Sequence, residues 1–202
     1  MNPETEKMLH EKLTREEKLR RITFVAMMAA LVAVGSYIQI QLPSILGSNR
    51  FHLGNVMCAL SGLLLGPWWG ALASGLGSAL YDLLLDPTRF AEFPITFVTK
   101  GIYGLVAGAV FFKVFKAKSN YINEAIATAL AAVSYIAVYL AKSFFYNGLL
   151  IKGLTADAAW LGVLERVPSS AFNGVVALVF APILGVALHK ALKAAHLEIK
   201  LA

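Results

Sequence analysis

The chain has 202 residues, 58% of them hydrophobic and only 15% charged, with a mean hydropathy of +0.67. That balance excludes a water-soluble domain, and apolar runs of 18 or more residues recur, each long enough to cross ~30 Å of hydrocarbon as a helix. The net charge of +6 sits in short segments between those runs, which points to anionic lipid and membrane topology, not nucleic acid. The runs are continuous, without the period of two that marks a barrel strand. The sequence therefore predicts an all-α membrane protein.

In chain order, residues 1–21 form a charged N-terminal tail. Its Glu11/Arg15, Glu16/Arg20 and Glu17/Arg21 spacings suit a solvated helix extending the first span. The first apolar run is too long for a cleavable signal peptide. Six spans follow, near 22–42, 54–67, 69–85, 95–113, 123–146 and 167–190. The second is the shortest and is expected to be tilted, broken or partly inserted. Gly66-Pro67 marks a tight turn into the third. Pro43, Pro87 and Pro94 punctuate the outer loops, and Pro182 is a candidate kink in the last helix. The expected organisation is a six-helix membrane domain over 22–192, with a C-terminal tail over 193–202. Twelve lysines and arginines fall in the segments that share a side with the termini, and only Arg50, Arg89, Lys152 and Arg166 fall in the others. By the positive-inside rule both termini are cytoplasmic.

Polar residues converge near the outer ends of the spans. Lys100 lies five residues into the fourth span, roughly 7–8 Å deep, and Lys142 lies equally far from the outer end of the fifth. On the fifth span Tyr135, Tyr139, Lys142 and Tyr146 share one helical stripe. On the sixth, Arg166, Ser169, Ser170 and Asn173 do the same. The fourth adds Thr96, Thr99 and Tyr103, the third adds Ser74, Ser78, Tyr81 and Asp82, and the first outer loop adds Arg50, His52 and Asn55. A lysine at this depth can snorkel to the headgroups. Two at matched depth, each beside tyrosines, favour an inward pocket for a small polar ligand with a flat or apolar part. Asp82 or Asp86 offers Lys100 an alternative, a structural ion pair.

Chemistry on the substrate finds no support. The four histidines lack metal-ligand spacing, there is no phosphate-binding loop, and Ser169-Ser170 lacks a base nearby in sequence. Neither a metal nor a cofactor is expected. Cys58 is the single cysteine and forms no internal disulfide. Small residues at steps of four recur: Gly66, Gly70, Ser74 and Ser78 on the third span, Gly104 and Gly108 on the fourth. These are read as close packing inside the bundle. On the first span, Ala26/Ala30 and Ala29/Ala33 form a flat stripe that could dock another membrane subunit.

The runs "FHLGNVMCALSGLLLGPWWGALASGLGSALYDLL", "PITFVTKGIYGLVAG" and "RVPSSAFNGVVALVFAPILGVAL" together resemble the S components of energy-coupling factor (ECF) transporters, in their riboflavin-type branch, over about residues 22–192. The resemblance implies a six-helix, non-catalytic subunit of a prokaryotic cell membrane that binds a vitamin near the outer surface. It implies a transmembrane coupling subunit and two cytoplasmic ATPases as partners, the first meeting helix 1 at Ala26/Ala30 or Ala29/Ala33. It also implies that outer loop 1 gates the site and that the last three helices line it. The long charged tail and an outer segment over 147–166, whose Trp160 could cover the ligand, depart from that pattern. Pantothenate, pyridoxine, riboflavin and cobalamin are candidate ligands, and the two lysines make an anion such as pantothenate attractive. The alternatives are a stand-alone secondary transporter or channel, which would need a polar path through the inner halves of the last spans, and an intramembrane enzyme acting on lipid.

Overall fold

The computed structural model describes residues 3–42 and 49–197, with side chains from Arg15 onward, Leu42 excepted. Helix α1 runs from Pro3 to Tyr37, so the charged tail continues the first span as one helix. A short hairpin follows. β1 (Gln39–Leu42) pairs antiparallel with β2 (Asn49–His52), with Gln39 opposite His52 and Ile40 opposite Phe51. Next come α2 (Gly54–Leu80), which passes into a π-helical turn at Tyr81–Leu85, and a 3-10 turn at Pro87–Glu92. Helix α3 (Phe93–Ala109) winds into a π turn at Val110–Val114. Helix α4 (Tyr121–Lys142) continues as a π segment, Ser143–Ile151, and α5 spans Ala156–Ala194. The proposed turn at Pro43 and the contacts of Glu11 lie outside the described backbone and side chains.

Five helices among the described residues are long and apolar enough to cross a membrane: Arg15–Tyr37, Gly54–Leu85, Pro87–Val114, Tyr121–Ile151 and Ala156–Ala194. Their outward faces carry large exposed apolar side chains such as Leu31, Val133, Leu150, Leu164 and Phe180, as lipid contact requires. The second and third expected spans are the two arms of α2, joined at the expected Gly66-Pro67 turn. Gly66 adopts φ 79°, ψ −176° inside this element, and the chain folds back there. Ser74 Oγ donates to the Cys58 carbonyl at 3.1 Å, although sixteen residues of straight helix would hold them about 24 Å apart. The first arm, 54–65, is about 18 Å long, short of the ~30 Å needed to span alone. A glycine is required at 66 because its φ lies where side chains clash, and Pro67 starts the returning arm with a φ suited to helix.

Helix α3 lies in the groove of this reversal. A Cβ on Gly62 would come within 2.4 Å of the Gly104 carbonyl, and one on Gly104 within 2.4 Å of the Gly70 carbonyl. The small-residue steps on α2 and α3 are thus an internal seam, as expected. On α1 the two alanine registers separate. Ala29 is buried where α1 meets Gly77. Ala26 and Ala30 are exposed, and Ala33 is partly so.

Two further boundaries move. The outer segment expected over 147–166 is mostly helical, because the π segment reaches Ile151 and α5 starts at Ala156. Pro168 and Pro182 both lie within α5. At the end away from the hairpin, Glu124 is fully buried. It accepts from Ser119 Oγ at 2.6 Å and lies 3.2 Å from His189 Nδ1. No sequence pattern pointed to this pair, since the two residues stand on different helices. α1 begins and α5 ends at this same end.

The seam predicts a sharp contrast between two glycines of α3. Gly104→Leu should lower the unfolding midpoint in detergent, by at least about 2 kcal/mol of stability. Gly101→Ala should leave it unchanged, because a Cβ there meets only the Ala71 carbonyl at 3.4 Å. Thermal unfolding of the two variants beside the parent checks this.

Candidate functional site: a charged and aromatic cavity under the hairpin

The hairpin covers a cleft between α2, α3, α4 and α5, whose roughly 720 Å³ of empty space includes open solvent. Eleven of the fourteen expected ligand residues line it: Arg50, His52, Asn55, Tyr81, Thr99, Lys100, Tyr135, Tyr139, Lys142, Arg166 and Asn173.

Lys100 stands at the floor. Its ammonium donates to Asn55 Oδ1 and lies 4.4 Å from the centroid of the Tyr135 ring, a cation–π contact. It forms no ion pair with a carboxylate among the described residues, so the alternative pairing with Asp82 or Asp86 is not made. Tyr135 and Tyr139 stack at 5.6 Å with 23° between planes, giving the wall a flat aromatic surface. Lys142 sits one turn nearer the mouth. Its Nζ donates to Glu92 Oε2 at 2.7 Å and to Thr96 Oγ1 at 3.1 Å. The lysines are therefore staggered, and only one of them has a counterion.

A ladder of alternating charge crosses the mouth. Arg50 Nη1 is 3.2 Å from Asp86 Oδ2, and its Nη2 is 3.7 Å from Asp82 Oδ1. Arg89 Nε is 3.6 Å from the same Asp82 oxygen, and its Nη2 is 2.8 Å from Glu92 Oε2. Glu92 then meets Lys142, so three cations match three carboxylates. Arg50 also donates to Gln39 Oε1 at 2.9 Å within the hairpin and to Tyr81 OH at 3.0 Å, which fastens the hairpin to the π turn after α2.

Asn173 fastens the hairpin to α5. Its Oδ1 accepts from the His52 backbone N–H at 3.0 Å, and its Nδ2 donates to the Arg50 carbonyl at 2.9 Å. One side-chain amide thereby replaces a neighbouring strand along β2. His52 Nδ1 accepts from the Gly54 N–H, so its ring proton is on Nε2. Burial, with the Lys100, Arg50 and Arg89 cations nearby, holds the imidazole well below its ordinary pKa.

Three expected residues stand outside the lining. Tyr103 is fully buried beneath it, its ring 5.3 Å from Tyr135. Tyr146 turns away and donates to the Ala91 carbonyl at 2.7 Å. Trp160 is 56% exposed and packs on Phe144 at 5.1 Å, away from the position of a ligand cover. The sequence reading lacked Ser36, Arg89, Glu92 and Asn147, all in the lining. The π segment explains two of these discrepancies together. Bonds from i to i+5 bring residues five apart onto one face, so Asn147 joins Lys142, whereas the α-helical spacing selected Tyr146. Asn147 Nδ2 donates to Glu92 Oε1 at 3.3 Å. Glu92 and Arg89 lie in what reads as an outer loop, where no periodicity marks them. Ser169 and Ser170 donate to backbone carbonyls one turn back, at 3.1 and 3.0 Å.

Glu92 is the junction of this network and carries its test. Glu92→Gln should destabilise the protein by about 1–3 kcal/mol, since it leaves Lys142 and Arg89 buried with weaker partners. Lys142→Met in that background should cost less than in the parent. A double-mutant cycle by thermal unfolding reads the coupling, and additive effects would contradict the pairing.

A family model described as "ECF-type riboflavin transporter, S component" matches residues 16–190. A protein of Pyrococcus woesei, described as an uncharacterized protein in a gap 3' region, is 30% identical over 119 residues, covering 59% of this chain and 74% of its own length. With a match across nearly all of its helical body, the chain belongs to the ECF-type riboflavin transporter S component family, non-catalytic membrane subunits of vitamin uptake.

Proposed function

We propose that this protein is the substrate-binding subunit of an ATP-driven importer and captures a riboflavin-type vitamin at the extracellular face of a prokaryotic cell membrane. The observation that carries this reading is the cavity, polar and aromatic at the hairpin end and closed beneath by Tyr103, Leu63 and Phe111, each fully buried. A site open at one end and plugged at the other suits capture followed by delivery through a conformational change. It does not suit a stand-alone channel or secondary carrier.

In this reading α2 contributes two passes, one incomplete, which makes six in all with both termini in the cytoplasm. The excess of lysine and arginine at the end away from the hairpin supports that orientation. The stacked Tyr135 and Tyr139 receive the flat ring of the vitamin, and Lys100, Asn55 and Thr99 approach its polar edge. Arg50 and Asn173 hold the lid through the contacts described above. Glu92 and Lys142 brace the mouth, where the sequence reading had Lys142 as a direct ligand contact. Delivery depends on a transmembrane coupling subunit and two ATPases. The exposed Ala26/Ala30 register of α1 is the docking face for the coupling subunit, because small side chains permit the close approach that helix association in lipid relies on. The buried Ala29 serves the internal contact with α2.

Two measurements test this. The purified chain should quench riboflavin fluorescence with sub-micromolar affinity, and Tyr135→Ala should weaken binding at least tenfold, about 1.4 kcal/mol or more. No riboflavin binding by the folded protein would remove the flavin assignment. Ala26→Leu with Ala30→Leu should leave binding unchanged yet abolish uptake in vesicles that contain the coupling subunit and ATPases. Uptake by the chain alone in liposomes would instead favour the stand-alone carrier.

A further inference from the structure

The ion pairs of the cavity do not account for all of its charge. Arg50, Arg89 and Lys142 are matched by Asp82, Asp86 and Glu92. Lys100 and Arg166 remain, at 6% and 9% exposure, and both line the same cleft. Neither forms an ion pair with a carboxylate among the described residues. Lys100 has one amide oxygen and one ring face for three N–H groups. The Arg166 guanidinium, with five N–H groups, has no hydrogen-bond acceptor among the described residues.

The lid cannot supply the missing charge. The whole stretch 39–52, "QIQLPSILGSNRFH", contains no aspartate or glutamate. His52 is neutral, since its Nδ1 accepts a hydrogen bond. Ser169 and Ser170, beside Arg166 on α5, direct their hydroxyls to the helix backbone. Two cations thus face one largely desolvated cavity without a counterion, an arrangement that is costly unless an anion enters. The neighbouring aromatic surface accepts a flat ring at the same time.

We infer that the natural ligand of this cavity bears an oxyanion, a carboxylate or a phosphate, which supplies the negative charge that Lys100 and Arg166 lack. The inference deepens the vitamin-carrier reading by naming the ligand's charge class, and it rests on this cavity being the ligand site. Arg166 acts as the main discriminator, because a guanidinium binds a carboxylate or phosphate through two parallel hydrogen bonds. A neutral ligand of the same shape leaves both cations unpaired and binds more weakly.

The test uses the full chain in detergent, with inorganic phosphate as a probe that needs no knowledge of the ligand. Phosphate should raise the unfolding midpoint by several degrees over chloride at equal ionic strength and pH. The Lys100→Met, Arg166→Gln double variant should lose that protection, and Arg166→Lys should keep part of it. In parallel, flavin mononucleotide should bind about tenfold or more tightly than riboflavin, and Arg166→Gln should bring the two close to parity. Equal midpoints in phosphate and chloride, or riboflavin binding as tightly as its phosphate, overturns the inference. The two readings fail separately. Phosphate protection that depends on Lys100 and Arg166, with neither flavin bound, keeps the anion site and removes the flavin. Riboflavin binding indifferent to both substitutions, with no phosphate effect, keeps the flavin carrier and removes the anion site.

Discussion

Charge neutralisation in a poorly solvated space is the constraint on which the hairpin end of this protein depends. A lone buried ion costs several kcal/mol even after relaxation, so most cations drawn into a membrane cavity are matched by carboxylates. The ladder Asp86–Arg50–Asp82–Arg89–Glu92–Lys142 satisfies that requirement. Its members come from the hairpin, the end of α2, the 3-10 turn and α4, so neutralising the charges also fixes the relative positions of those elements. Removing one member disturbs the geometry of the whole mouth.

Below the mouth a different force takes over. Helices in lipid gain nothing from hiding apolar surface, so close packing has to hold them together. The reversal at Gly66 and the glycine seam between α2 and α3 bring backbones nearly into contact, to the point where any side chain at Gly62, Gly70 or Gly104 would collide with a neighbour. That rigid base keeps Asn55 and Lys100, one on each side of the seam, within hydrogen-bonding reach.

Much of this is legible in the sequence. Apolar runs locate the helices, and the period of 3.6 puts Tyr135, Tyr139 and Lys142 on one face and Arg166 and Asn173 on another. Three things escape it, each for a physical reason. A π segment changes the period, which moves Asn147 into the cavity and Tyr146 out of it. Glu92 lies in a non-periodic turn, so the counterion of Lys142 is recognisable only once α4 packs against that turn. The pairing of Glu124 with His189 joins residues more than sixty positions apart, beyond any local pattern.

The way Asn173 holds the lid has a kinetic side. Its donor and acceptor both engage the backbone of β2, so the hairpin edge cannot lift without losing both bonds together. In the proposed reading, opening requires both bonds to break, and a captured molecule leaves no faster than that event. In that reading, residence time at the site depends on a side chain whose hydrogen bonds go to the hairpin.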